Sequence, residues 1–117
     1  SQRLVRCICP NCKTAYTPTD EELEILGLRP GNGTTFYRGK GCPHCFDTGY
    51  RGRTGVFEIL IMNRETRRCI SENDSKANLL KAAEGPDFVS IRDNCRRLVL
   101  EGVTTVEEAK RTINSVE

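Results

Sequence analysis

Residues 9–45 read CPNCKTAYTPTDEELEILGLRPGNGTTFYRGKGCPHC, opening on Cys9-Pro-Asn-Cys12 and closing on Cys42-Pro-His-Cys45. Each Cys-x-x-Cys turn directs two sulfurs inward and leaves backbone N–H groups free to bond them. Two such turns supply the four-sulfur tetrahedron that zinc takes in structural sites. The 29 residues between Cys12 and Cys42 leave room for a helix and a strand, which lets the two knuckles face each other. Cys9, Cys12, Cys42 and Cys45 are therefore the expected metal ligands. Four thiolates fill the coordination sphere, so the expected Zn2+ is structural, with no position open for a bound water. Two other chemistries use the same residues. A pair of redox dithiols is one, although such motifs normally open a helix within an α/β unit, which this half lacks. An iron–sulfur cluster is the other, disfavoured by symmetrical knuckles without a closely spaced third cysteine.

Between the knuckles, Thr19-Asp-Glu-Glu22 is a capping box with acidic residues in the first turn, and Gly27 is a stop; together they predict a short helix. Arg29–Thr34 is rich in turn formers, and Thr35–Arg38 reads as a strand entering the second knuckle. Ahead of the first knuckle, Ser1–Ile8 alternates weakly and reads as a strand, with Leu4, Arg6 and Ile8 on one side and Val5, Cys7 and Cys9 on the other. The start without Met suggests a piece of a longer protein or an added first residue. After the second knuckle comes a glycine-punctuated segment, Gly49–Gly55, followed by Val56–Ile61 as the strongest strand.

From Asn63 the pattern turns helical. Asn63 can cap Arg64–Glu72, and Ser75 can cap Lys76–Glu84, with Gly85-Pro86 as a stop. Ser90-Ile-Arg-Asp93 resembles a capping box opening a helix with Ile91, Cys95, Leu98 and Val99 on one stripe before Gly102. Thr104–Glu108 starts a last helix with Val106, Ala109 and Ile113 on one face. The fold class expected is α+β: a small zinc-ribbon-like lobe with a few short antiparallel strands at 1–62, then a small helical lobe at 63–117.

Composition sets the remaining bounds. Leu, Ile, Val and Phe make up 27 of 117 residues, just above the ~20% at which highly charged chains stay disordered. A modest core is possible, and a structural metal is the usual support for so small a lobe. The formal charge of +2 falls to about zero once four thiolates hold one divalent ion, so bulk charge points to no partner. No apolar run spans a bilayer and no secretory signal is present. Seven cysteines, an odd number, in a chain without a signal fit the reducing cytoplasm and metal binding. Of the others, Cys7 reads as a half-buried strand residue, Cys69 and Cys95 as core thiols, and His44 as a surface residue inside its knuckle.

Arg38, Lys40, Arg51 and Arg53 flank the second knuckle, and Arg92, Arg96 and Arg97 lie along one helix. These groups could meet phosphates or acidic headgroups, or form an ordinary solvated face, with Asp93 and Arg97 spaced for an i,i+4 pair. A zinc-ribbon module binding nucleic acid is the alternative reading they raise. There is no phosphate loop of the Gly-x-x-x-x-Gly-Lys-Ser/Thr type, no Ser-His-Asp set and a single histidine, so no complete active site can be assembled from this chain.

Taken in order, Gln2-Arg-Leu-Val-Arg6, Cys9-Pro-Asn-Cys12, Gly41-Cys-Pro-His-Cys45, Thr48-Gly-Tyr-Arg-Gly-Arg-Thr-Gly55, Ser90-Ile-Arg-Asp93 and Gly102-Val-Thr-Thr-Val-Glu-Glu108 resemble one family. The chain looks like the carboxy-terminal end of a type II secretion or type IV pilus assembly ATPase. The resemblance implies a hexameric cytoplasmic motor, peripheral to the inner membrane and docked on its secretion or pilus platform proteins. ATP and Mg2+ would be bound and hydrolysed by a core domain absent from these residues. The partners implied are that core, neighbouring subunits and the platform, not nucleic acid; the isolated piece is expected to be monomeric. The family's four knuckle cysteines bind zinc, and Cys9, Cys12, Cys42 and Cys45 match them one for one. One departure is Cys95, where the family usually has Gly, which puts close helix packing in doubt there.

Overall fold

The computed structural model describes residues 2–60, 64–73 and 88–115. Strand β1 (Gln2–Ile8) runs into the first knuckle, and β2 (Lys13–Tyr16) leaves it. Helix α1 (Asp20–Ile25) follows, then β3 (Phe36–Gly39), a 3-10 turn across Pro43–Cys45, and β4 (Tyr50–Phe57). The chain continues as β5 (Ile59–Leu60), α2 (Arg64–Ser71), β6 (Phe88–Val89), α3 (Ile91–Leu100) and α4 (Val106–Asn114). The strands form three antiparallel ribbons, β1–β4, β2–β3 and β5–β6. The class is α+β, as the sequence predicts.

The local signals act where they were read. Thr19 accepts from the N–H of Glu22 while the Glu22 carboxylate accepts from the N–H of Thr19, so two otherwise orphan donors are satisfied at once. At the other end of α1, Gly27 takes φ +70°, and the N–H groups of Gly27 and Leu28 reach back to the carbonyls of Glu24 and Leu23. That is the paired return of a Schellman stop. Helix α3 repeats both devices, with a Ser90/Asp93 capping box at its start and Gly102 and Val103 bonding Val99 and Leu98 at its end.

Three expectations need correction. The alternation in β1 predicts Leu4 and Ile8 on one face, yet Val5 and Ile8 are both buried and Leu4 is half exposed. The register slips between Arg6 and Ile8, and a bulge reverses the side-chain alternation beyond it. Second, the strand does not wait for Val56: β4 begins at Tyr50 and runs through the glycine-punctuated segment, pairing with β1 at Tyr50 and at Arg53–Phe57, and the predicted Val56–Ile61 strand breaks at Glu58 between β4 and β5. Third, β2 was not expected; it pairs with β3, Lys13 opposite Gly39 and Tyr16 opposite Phe36. The Asn63 cap, the Ser75-capped helix at 76–84, its Gly85-Pro86 stop and the Cys69 side chain lie outside the described residues.

One buried cluster joins these parts. Val5, Leu23, Leu26, Phe36 and Val56 pack with Ile91, Cys95, Leu98, Val99, Val106 and Ala109. Phe36 and Leu26 are fully buried, each contributing about 2–3 kcal/mol of apolar transfer free energy. Cys95 is also fully buried, so the helix accommodates a thiol at the position where the resemblance raised a doubt. The outer edge of β1 is closed by the chain's second half: Ile8 N–H donates to the Val103 carbonyl at 2.9 Å, and Thr104 Oγ1 donates to the Arg6 carbonyl at 2.6 Å. Asn94, buried on α3, donates from Nδ2 to the Phe57 carbonyl at 3.0 Å and so fixes the end of β4.

Candidate metal centre

The two ribbons β1–β4 and β2–β3 bring the knuckles face to face. Cys9 lies just past the end of β1 and Cys12 just before β2, while Cys42 and Cys45 bracket the 3-10 turn between β3 and β4. At the junction, Gly39 and Gly49 touch: a Cβ on Gly39 would sit 2.3 Å from the Gly49 carbonyl oxygen. Only a residue without a side chain permits that approach. It seats the second knuckle against the hairpin, and the N–H of Cys9 completes the seat by donating to the Gly49 carbonyl at 2.9 Å.

The four sulfurs of Cys9, Cys12, Cys42 and Cys45 all lie within 4.8 Å of one another. Cys9 and Cys42 are 3.8 Å apart, Cys12 and Cys45 3.8 Å, and Cys42 and Cys45 3.7 Å. A tetrahedral ion with metal–sulfur bonds of about 2.3 Å has sulfur–sulfur edges of about 3.8 Å. The donor set therefore fits a tetrahedral metal ion, and the spacing is far too wide for disulfides. Backbone donors complete the shell: Gly41 N–H reaches the Cys12 sulfur at 3.3 Å and Gly49 N–H the Cys45 sulfur at 3.2 Å. Such bonds stabilise negative charge on sulfur.

The thiols differ in acidity. Burial opposes ionisation of Cys45, but bonds from Gly49, Cys42 and Cys12 outweigh it and bring this thiol down to about 6. Burial and bonds to Cys45 and Cys9 push Cys42 up to about 11, and burial likewise raises Cys12. His44 is exposed in its knuckle and Cys7 is half buried on β1. Neither joins the four.

Four of the basic residues read from the sequence, Arg38, Arg92, Arg96 and Arg97, take structural posts. The Arg38 guanidinium lies 4.5 Å from the Tyr16 ring centre. Arg92 donates to the carbonyls of Ile25 at 3.1 Å and Glu24 at 3.3 Å, and Arg96 to that of Leu26 at 3.2 Å. Both neutralise the carbonyl end of α1. Asp93 pairs with Arg96, and Arg97 with Glu101 and Asn94, instead of the expected Asp93–Arg97 pair. The sequence reading missed Glu108. This carboxylate, 3% exposed, is held by Arg6 at 2.8 Å and Arg111 at 2.7 Å. An acidic residue two positions into a helix reads as an ordinary dipole partner, so nothing local marks it as buried. Among the described residues no helix is long and apolar enough to cross a membrane.

A family model described as "Type II/IV secretion system protein" matches residues 1–111. Type II secretion system protein E of Pseudomonas aeruginosa is 44% identical over 113 residues, which is 95% of this chain and 22% of that protein. Type IV pilus assembly ATPase PilB of Thermus thermophilus is 37% identical, over 97% of this chain and 13% of its own length. Type II secretion system ATPase E of Vibrio cholerae is 34% identical, over 95% and 22%. The chain thus spans about a fifth or less of the curated relatives it matches. With nearly its whole length matched by the family model, the chain belongs to the type II/IV secretion system protein family.

Proposed function

We propose that Cys9, Cys12, Cys42 and Cys45 bind one structural Zn2+, and that the chain is the zinc-binding carboxy-terminal module of a hexameric ATPase that powers protein secretion or pilus assembly. The observation that carries the metal reading is the set of sulfur–sulfur separations, 3.7–3.8 Å for three pairs, which suit zinc–thiolate bonds of about 2.3 Å. Relatives named as secretion and pilus ATPases carry the rest. ATP hydrolysis, with its Mg2+, resides on this reading in a core domain outside these residues. The motor is cytoplasmic, rests peripherally on the inner membrane, and meets platform proteins and neighbouring subunits; the isolated module is a monomer. Residues 1–62 form the metal-binding lobe and 63–117 the helical lobe, both drawing on one core.

A bound zinc pins the end of β1 to the start of β4 by four bonds that resist bending, so the module moves as one rigid arm when the motor's domains rotate. Replacing Cys42 and Cys45 by Ser in the full-length protein tests this role. Loss of zinc together with loss of secretion or piliation is expected; zinc loss with unchanged transport would refute the arm. Gel shifts at two salt concentrations separate the nucleic-acid alternative, which requires steeply salt-dependent binding.

A further inference from the structure

An open groove of about 810 Å³ runs past Leu4, Arg6, Tyr50, Arg53, Glu108 and Arg111. Arg6 and Arg53 are direct cross-strand partners, an arrangement that destabilises a ribbon unless the charge is answered. Glu108 answers part of it through Arg6 and Arg111. Among the described residues the Arg53 side chain has no ion pair or hydrogen bond. Three guanidiniums therefore line the groove with one carboxylate, Glu108.

Two of these guanidiniums are held in place without being covered. Arg6 stacks 4.0 Å from the centre of the Tyr50 ring, whose hydroxyl is fixed by Thr105 at 2.7 Å. Arg111 is tied to Glu108 at 2.7 Å and to the Leu4 carbonyl at 3.3 Å. Their side chains nevertheless remain 53% and 59% exposed. Guanidiniums fixed in this way bind carboxylates with little ordering cost, because the planar fork matches two acceptor oxygens.

We infer that this groove is a docking site for an acidic segment of a partner protein, with Arg53 as its main anchor. Phosphate would suit the same forks, but two features favour a peptide. The groove far exceeds the volume of a phosphate group, and Leu4, half exposed on its wall, offers an apolar step that only a side chain can use. A lining with more guanidiniums than carboxylates asks for acidic side chains, with an apolar residue between or beside them. The inference rests on the arginine geometry and is independent of which metal the knuckles hold.

Fluorescence anisotropy of the folded chain with a labelled peptide alternating Glu and Leu tests it, with a Lys counterpart as control. Binding is expected for the acidic peptide alone. It should weaken about tenfold in Arg53→Glu, and again when salt rises from roughly 20 to 150 mM. Arg53→Lys should retain most of the binding, and Arg29→Glu, at an exposed arginine in the 29–34 turn, should change nothing. Because the exposed Arg53 side chain has no ion pair or hydrogen bond among the described residues, its variants are expected to stay folded, which circular dichroism checks. No binding, or equal binding by Arg53→Glu, overturns the inference. So does Arg53-dependent binding of inorganic triphosphate without binding of the peptide, which would reassign the groove to a phosphate ligand.

Discussion

Glu108 holds Arg6 three times over: its carboxylate accepts from the Arg6 backbone N–H at 3.0 Å, from Nε at 2.9 Å and from a terminal guanidinium nitrogen at 2.8 Å. One side chain thereby closes a strand edge and neutralises a cation of that strand. Burial alone would raise the Glu108 carboxyl; the Arg6 N–H and the guanidiniums of Arg111 and Arg6 hold it below its usual range.

Glu108→Gln should therefore lower stability at neutral pH by about 2 kcal/mol, the value of a hydrogen bond to a charged group with half-exposed partners. Since the folded-state carboxyl is depressed, its contribution is present above the unfolded value of about 4.3 and is lost as pH falls through the folded one. Urea titrations of both proteins should show their difference shrinking below about pH 4. A difference that stays constant would mean that Glu108 acts through shape alone.

Elemental analysis paired with thiol counting should find one zinc per chain and four thiols that react only after chelation. Cys95, pushed up to about 11 by burial, should stay unreactive in the folded protein. Because the ligands must be thiolates, acid should release the metal as the freed sulfurs take up protons. A metal-free chain with an intact fold would return the knuckles to redox chemistry.

Gly39→Ala should cost about 3 kcal/mol, since its Cβ would strike the Gly49 carbonyl oxygen, a backbone atom that cannot swing aside. The loss should show as a lower denaturation midpoint and weaker metal retention in a chelator competition. Metal retention equal to that of the parent chain would dissociate the glycine contact from the knuckle.

Arg96→Ala removes a donor from the Leu26 carbonyl and should destabilise by about 1 kcal/mol. Amide exchange should accelerate in α1 more than in α4. Uniform acceleration would indicate a global effect instead of a lost helix stop.

What could be read from the sequence follows the range of each interaction. The capping boxes at Thr19 and Ser90 and the Cys-x-x-Cys turns are complete within four residues, so their geometry is written locally. Strand β4 is otherwise: Gly55 looks like a strand breaker until Leu4 of β1, some fifty positions earlier, supplies the pairing. The bulge after Arg6 likewise depends on that partner, which is why alternation misplaced Leu4 and Ile8. Asp93 has two arginines in reach, and packing of Arg97 against Glu101 and Asn94 leaves it to Arg96. For the metal centre the residue identities were legible, whereas the sulfur separations and the glycine seat required the fold.

The separation of 102 positions from Arg6 to Glu108 also sets a schedule for biosynthesis. A ribosome adding about 5–20 residues per second needs roughly 5–20 seconds after β1 emerges to deliver the helix that seals it. During that interval the strand presents open backbone groups to anything nearby, and the knuckle cysteines, complete after residue 45, are available long before it ends. Early metal capture would hold β1 beside the arriving β4 and keep the nascent edge from pairing with a neighbouring chain.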